Sequence, residues 1–171
     1  MHPRWRRILL TTLWIALLSA AGVRAMEAAE GKISLKDYVP VGFNFLGKFE
    51  IDLNDLEAIG SMTEEEYAAA KIPDDIKELD GKKVCIPAYM LPVVFADGGV
   101  TEFLGMASTT SCCYGVEPKL TEIIAVRMTK GSTQSLMDSP LFLFGTLRVG
   151  PVVDDGFVTA IYSMECDKVS W

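Results

Sequence analysis

From Lys82 to Cys166 the chain is broken by turn signals into apolar runs too short for core helices, and this punctuation limits the fold more than any other feature. Ala96-Asp97-Gly98-Gly99 separates Lys82 to Phe95 from Val100 to Met106. Lys130-Gly131-Ser132 and Asp154-Asp155-Gly156 separate three further runs, Ile123 to Met128, Leu141 to Val149 and Phe157 to Cys166. Five strands are predicted. Pro87 and Pro92 cannot donate to a ladder, so the first strand is expected to hold bulges or an edge position. In the last, Val158, Ala160, Tyr162, Met164 and Cys166 alternate with Thr159, Ser163 and Glu165, the pattern of a strand with one buried face. Leu141-Phe142-Leu143-Phe144 is apolar on both faces and is expected to be covered on both.

Five short strands need their edges protected, and closure protects them best. The expected fold is mainly β, a small five-stranded, partly closed barrel over residues 76–171, with a sandwich as the alternative. Residues 26–75 read as an extension packing on that barrel, mostly extended segments and loops. One short helix is predicted there: Ser61-Met62-Thr63-Glu64 fits a capping box, good helix formers follow to Lys71, and Pro73 stops them.

Residues 1–25 read as an export signal. Arg4, Arg6 and Arg7 form a basic start, Ile8 to Ala21 an apolar core, and Val23-Arg24-Ala25 a small-residue cleavage site, so the mature chain is expected to begin at Met26. The alternative is an uncleaved anchor, which the short apolar run and the acidic sequence after it disfavour. Contact with the membrane is accordingly expected only in transit, and the expected location is periplasmic or otherwise extracytoplasmic. The leader takes four arginines, no acids and the only histidine, His2, leaving 12 basic residues against 23 acidic, a net charge of −11. A surplus of that sign argues against nucleic acid as partner and is compatible with a cationic one. Without imidazole the mature chain cannot form a Ser-His-Asp or Cys-His centre, so no catalytic residue and no cofactor is expected.

Cysteine chemistry is the exception. Cys85, Cys112, Cys113 and Cys166 allow three pairings in an oxidising compartment. A Cys85–Cys166 bridge is a candidate because first and last strands of a barrel can be neighbours, although strand parity places Val84 and Ile86 inward and Cys85 on the other side. The loop Ser111-Cys112-Cys113-Tyr114-Gly115 is the candidate functional loop: adjacent thiols can bind a soft ion such as Cu(I), or zinc, or act as a redox pair, whereas the plainer reading makes them structural. Met90, Met106, Met128 and Met164 read as core filler rather than metal ligands, and Asp74-Asp75 and Asp154-Asp155 as turn residues rather than paired catalytic carboxylates. Tyr89, Phe103 and Tyr114 offer aromatic rings for stacking, which the acidic surplus opposes.

The ordered motifs Leu79-Asp80-Gly81-Lys82-Lys83-Val84-Cys85-Ile86-Pro87, Thr101-Glu102-Phe103-Leu104, Cys112-Cys113-Tyr114-Gly115 and Gly145-Thr146-Leu147 resemble an exported bacterial family catalogued as domain of unknown function 3299, over roughly residues 75–169. Ala88 departs from the glycine more usual in that pattern. The resemblance implies an oligonucleotide/oligosaccharide-binding (OB) type of barrel, export or lipid anchoring, and for some members company with ABC-transport components. The function expected on these grounds is a non-catalytic binding or accessory module of the cell envelope with an envelope or transporter protein as partner. The alternative is a thiol-based Cu/Zn carrier or redox protein using Cys112 and Cys113.

Overall fold

Strand β2 (Lys83–Ala96) holds the architecture together, because it serves two neighbours in turn. Its first half pairs antiparallel with β5 (Leu141–Asp154), from Lys83↔Thr146 to Ala88↔Leu141. Its second half pairs with β3 (Gly99–Met106), from Tyr89↔Met106 to Ala96↔Gly99. Strand β4 (Ile123–Met128) lies between β3 and β6 (Phe157–Ser170), antiparallel to the first and parallel to the second. With β5 against β6, the order β2-β3-β4-β6-β5 returns to β2 and closes a five-strand ring of hydrogen bonds. The ring is interrupted by register shifts at Pro92/Val94, Phe144/Gly145 and Val149/Val152, so it is barrel-like without being a strict barrel. A two-residue strand β1 (Val39–Pro40) adds a parallel step outside β2. The computed structural model describes residues 35–110 and 118–171, with residues 36–171 in one compact unit. The leader and the Ser111–Gly115 loop lie outside the described residues.

Both prolines stand where the expectation put them. At Pro87 the ladder partner is Phe142 of β5, and at Pro92 it is Phe103 of β3 beside a bulge, so neither ring has to replace a donor in a two-sided ladder. The inward set Val84, Ile86, Ala88 and Met90 alternates cleanly, and so does Val158, Ala160, Tyr162, Met164 and Cys166. Met106 is buried too and Met128 packs against the core, consistent with filler. Phe103 is 1% exposed, so it belongs to the interior and offers no stacking face. The doubly apolar run of β5 is only partly covered: Tyr38 meets Phe144 edge-on at 5.4 Å, while Phe142 stays exposed.

The segment before β2 is more helical than expected. Besides the predicted helix, here α3 (Glu64–Lys71), there are single-turn helices α1 (Phe43–Leu46), α2 (Leu56–Ile59) and α4 (Asp74–Lys77). One turn is too short to show periodicity, and such turns persist only through tertiary contacts. Leu46, Ala68, Ile72 and Ile76 supply those contacts by joining the barrel core. The cap of α3 is also displaced by two residues. Thr63 Oγ1 accepts from Glu66 N at 3.2 Å and Glu66 Oε2 accepts from Thr63 N at 2.9 Å, so the box is Thr63/Glu66 rather than one starting at Ser61. Pro73 ends α3 and starts α4, whose first turn holds Asp74 and Asp75; Asp75 is ion-paired with Lys48, so that carboxylate pair is structural.

The Cys85–Cys166 bridge is absent and both thiols are free. β5 runs between their strands, with Cys85 opposite Phe144 and Cys166 opposite Gly145. Cross-strand partners share a face, so Cys166 shares the interior with Val84, partner of Gly145, while Cys85 points outward. A disulfide spans a Cβ separation of about 4 Å and cannot reach across an intervening strand.

Candidate cleft between two hairpin arms

β2–β3 and β5–β6 both extend past the ring as hairpin arms, and both turn on the same chemistry. Asp97 (φ 53°) and Gly98 (φ 80°) close the first; Asp155 (φ 48°) and Gly156 (φ 87°) close the second. Two consecutive left-handed residues make the type I′ turn whose twist matches the flanking strands, and Asp-Gly is among the pairs that tolerate it. The first arm is thickened by residues 132–135. Val100 and Thr133 exchange backbone hydrogen bonds of 2.8 and 2.9 Å, and Ser132 Oγ donates to Asp97 O at 3.1 Å. Gly99 is required at this approach, since a Cβ there would stand 2.6 Å from Thr133 O. A shallow hollow of about 530 Å³ lies beside this junction, with Phe95 on its wall.

Between the arms lies a cleft of about 510 Å³ over the outer faces of β3, β4 and β6, with Val93 on one side and Val152, Val153 and Asp154 on the other. The floor carries a charged row in register: Glu102 opposes Arg127, and Arg127 opposes Glu165. Arg127 Nε donates to Glu102 Oε1 at 3.0 Å, an exposed pair that orders the floor and adds only about 0.2–1 kcal/mol. Arg148, opposite Ser163, completes the polar lining. The rims are apolar and open to solvent: Val93 is 58% exposed, Val153 44% and Phe157 65%, while Phe95, 65% exposed, faces the separate hollow. Phe157 shares the cleft face because its ladder partner Asp154 lines the cleft, as do Thr159 and Ser163 two and six residues along the same strand.

The described cysteines are poor reagents. Burial pushes the Cys166 thiol up to about 12, and its Sγ donates to Lys168 O at 3.3 Å. Burial also raises Cys85. Thiolates are the reactive form, so burial slows the chemistry of both. Among the described residues no three His, Cys, Asp or Glu side chains are grouped to hold a metal ion, and no helix is long and apolar enough to cross a membrane. Cys112, Cys113 and Tyr114, with Ser111 and Gly115, lie outside the described residues.

Sequence reading missed the cleft because it ended β5 at Val149 and β6 at Cys166, whereas they reach Asp154 and Ser170. The signal was present in Val152-Val153-Asp154-Asp155-Gly156-Phe157-Val158, an Asp-Gly turn between β-branched and aromatic residues on both sides.

No curated protein matches the chain. Among solved structures, a DUF3299 family protein from Pseudomonas aeruginosa PAO1 is similar at 21% identity and a TM-score of 0.55, covering 78% of this chain and 95% of that one, a likeness of fold. The sequence model of the family described as "Protein of unknown function (DUF3299)" matches residues 42–171, which takes in the helical segment as well as the strands. The chain belongs to that family.

Proposed function

We propose that this protein is an exported, non-catalytic binding or accessory module of the cell envelope that engages a protein partner through the cleft between its hairpin arms. The observation that carries the reading is the exposure of Val93, Val153 and Phe157 around one concave, salt-bridged floor. Large apolar side chains held in water on rigid arms are the usual mark of an interaction site. Export rests on the basic start, apolar core and small-residue cleavage site of residues 1–25. Association with an ABC-type transport system rests on the family resemblance alone.

The test is site-directed photocrosslinking in the producing cells. A benzoylphenylalanine at Val153 or Thr159 is expected to trap one partner in the envelope fraction, and the same group at Phe142, far along β5 from the arm, is expected to trap none. Equal trapping from both places, or none from the cleft, overturns the reading. Amino-terminal sequencing of the fractionated protein tests export separately, with a start at Met26 expected and an intact leader in the cytosol fatal to it.

A further inference from the structure

The cleft's charge distribution goes beyond the binding reading, on which this inference rests, and specifies the partner's chemistry. Apart from Arg148 and the ring-end residues Lys83 and Lys168, the two hairpins carry no lysine or arginine, and the cleft floor adds Arg127, which is paired with Glu102. The hairpins' acids are Asp97, Glu102, Asp154, Asp155, Glu165 and Asp167. Glu102 is paired with Arg127, and Asp167 lies 4.0 Å from Lys83 and accepts from Tyr38. Among the described residues Asp97, Asp154, Asp155 and Glu165 are in no ion pair. Three of these four sit at the arm tips, next to Phe95 in one hairpin and Phe157 in the other.

We propose that the arms dock a cationic polypeptide segment of a partner protein, one bearing lysine or arginine interleaved with apolar side chains. The apolar side chains cover Val93, Val153 and Phe157, and the cationic ones meet the tip carboxylates. An aspartate in a type I′ turn and a charge on a strand end have an ordinary structural use, in turn formation and in keeping edges apart. That use does not account for the exposed Val153 and Phe157 beside Asp154 and Asp155. The sign also discriminates among occupants. Two copies would bring carboxylates against carboxylates, and an anionic lipid surface would meet the same repulsion, whereas a basic segment is drawn in at long range and held by apolar contact.

Binding is read by fluorescence anisotropy with three labelled 14-residue peptides, alternating Lys-Leu, Glu-Leu and Lys-Ser, at low and high salt. The Lys-Leu peptide is expected to bind at least tenfold more tightly than either other, and to weaken as salt rises. Val153→Ser and Phe157→Ser, at side chains too exposed to support the fold, are each expected to weaken it at least fivefold. Phe142→Ser, equally apolar and 48% exposed but off the arms, is expected to change nothing. Should the Val153 and Phe157 variants fail to fold, the triple change Asp97→Asn, Asp154→Asn and Asp155→Asn carries the test, with loss of the salt dependence expected. Equal affinity for the Glu-Leu peptide, equal damage from Phe142→Ser, or unchanged binding in the arm variants overturns the proposal. So does association only with phosphatidylcholine/phosphatidylglycerol vesicles, or self-association abolished by Phe157→Ser. A partner still crosslinked at Val153 while the Lys-Leu peptide fails would overturn the basic chemistry and leave the binding reading standing.

Discussion

Tyr162→Phe should loosen the joint between the helical segment and the barrel. Tyr162 is fully buried on β6, and its hydroxyl donates to Leu46 O at 2.8 Å across 116 residues of chain. Leu46 is the last residue of the single-turn helix α1, so its carbonyl has no helical partner, and the residue is itself 0% exposed. Deleting the hydroxyl leaves that carbonyl unsatisfied, a cost of about 1–3 kcal/mol, partly offset because phenylalanine has no hydroxyl to desolvate. The net loss is expected near 1.5 kcal/mol, which at a urea m-value of about 1.5 kcal/mol/M lowers the midpoint by about 1 M. Urea unfolding followed by fluorescence measures it. Hydrogen exchange at Gly47, whose N–H donates to Phe43 O at 2.7 Å, should accelerate in the same variant as α1 frays. A midpoint within about 0.2 M of the parent, with unchanged exchange at Gly47, would refute the claim that this bond ties the two parts together.

Three further expectations follow from the same geometry. Gly145→Ala should cost about 3 kcal/mol or more, because its Cβ would stand 2.3 Å from Glu165 O and 2.8 Å from Cys166 Cα, both backbone. Gly105→Ala should cost about 1 kcal/mol, since its nearest obstacle at 2.9 Å is the movable Cδ1 of Leu143; equal urea midpoints for the two would contradict the argument. Alkali should destabilise the protein through three buried acids: Cys166 rises from 9.0 to about 12, Tyr38 from 10.0 to about 12 by burial and its bond to Asp167, and Tyr162 is raised by burial. Each is neutral when protonated and has a folded value above its unfolded one, so its contribution is complete below the unfolded value and is lost as pH climbs from 9.0 towards 12. A midpoint flat from pH 8 to 11 would contradict this, and Cys166→Ala should remove the earliest part of the fall. Alkylation with iodoacetamide, without reductant, should modify Cys85 slowly and Cys166 only on unfolding; a Cys85–Cys166 linked peptide in the mass map would refute the strand placement.

The sequence by itself determined that five main strands exist, the turns between them and the inward faces of β2 and β6, because these are local matters of period-two alternation, Asp-Gly chemistry and proline geometry, but not how far β5 and β6 run. Lys82 to Phe95 matches β2 within one residue, and the inward face of β6 reads directly from Val158 to Cys166. The family pattern in the strands was legible as well, although its reach back to residue 42 was not, since single-turn helices such as Phe43–Leu46 have no periodicity to read. Only the tertiary structure decided where the strands closed. It made β2 change neighbours from β5 to β3, put β5 between Cys85 and Cys166, and brought Val93 and Val153, sixty residues apart, onto one cleft. Ring closure is a property of long-range registers, which depend on how all five strands share a single interior, and no stretch of chain carries that information alone.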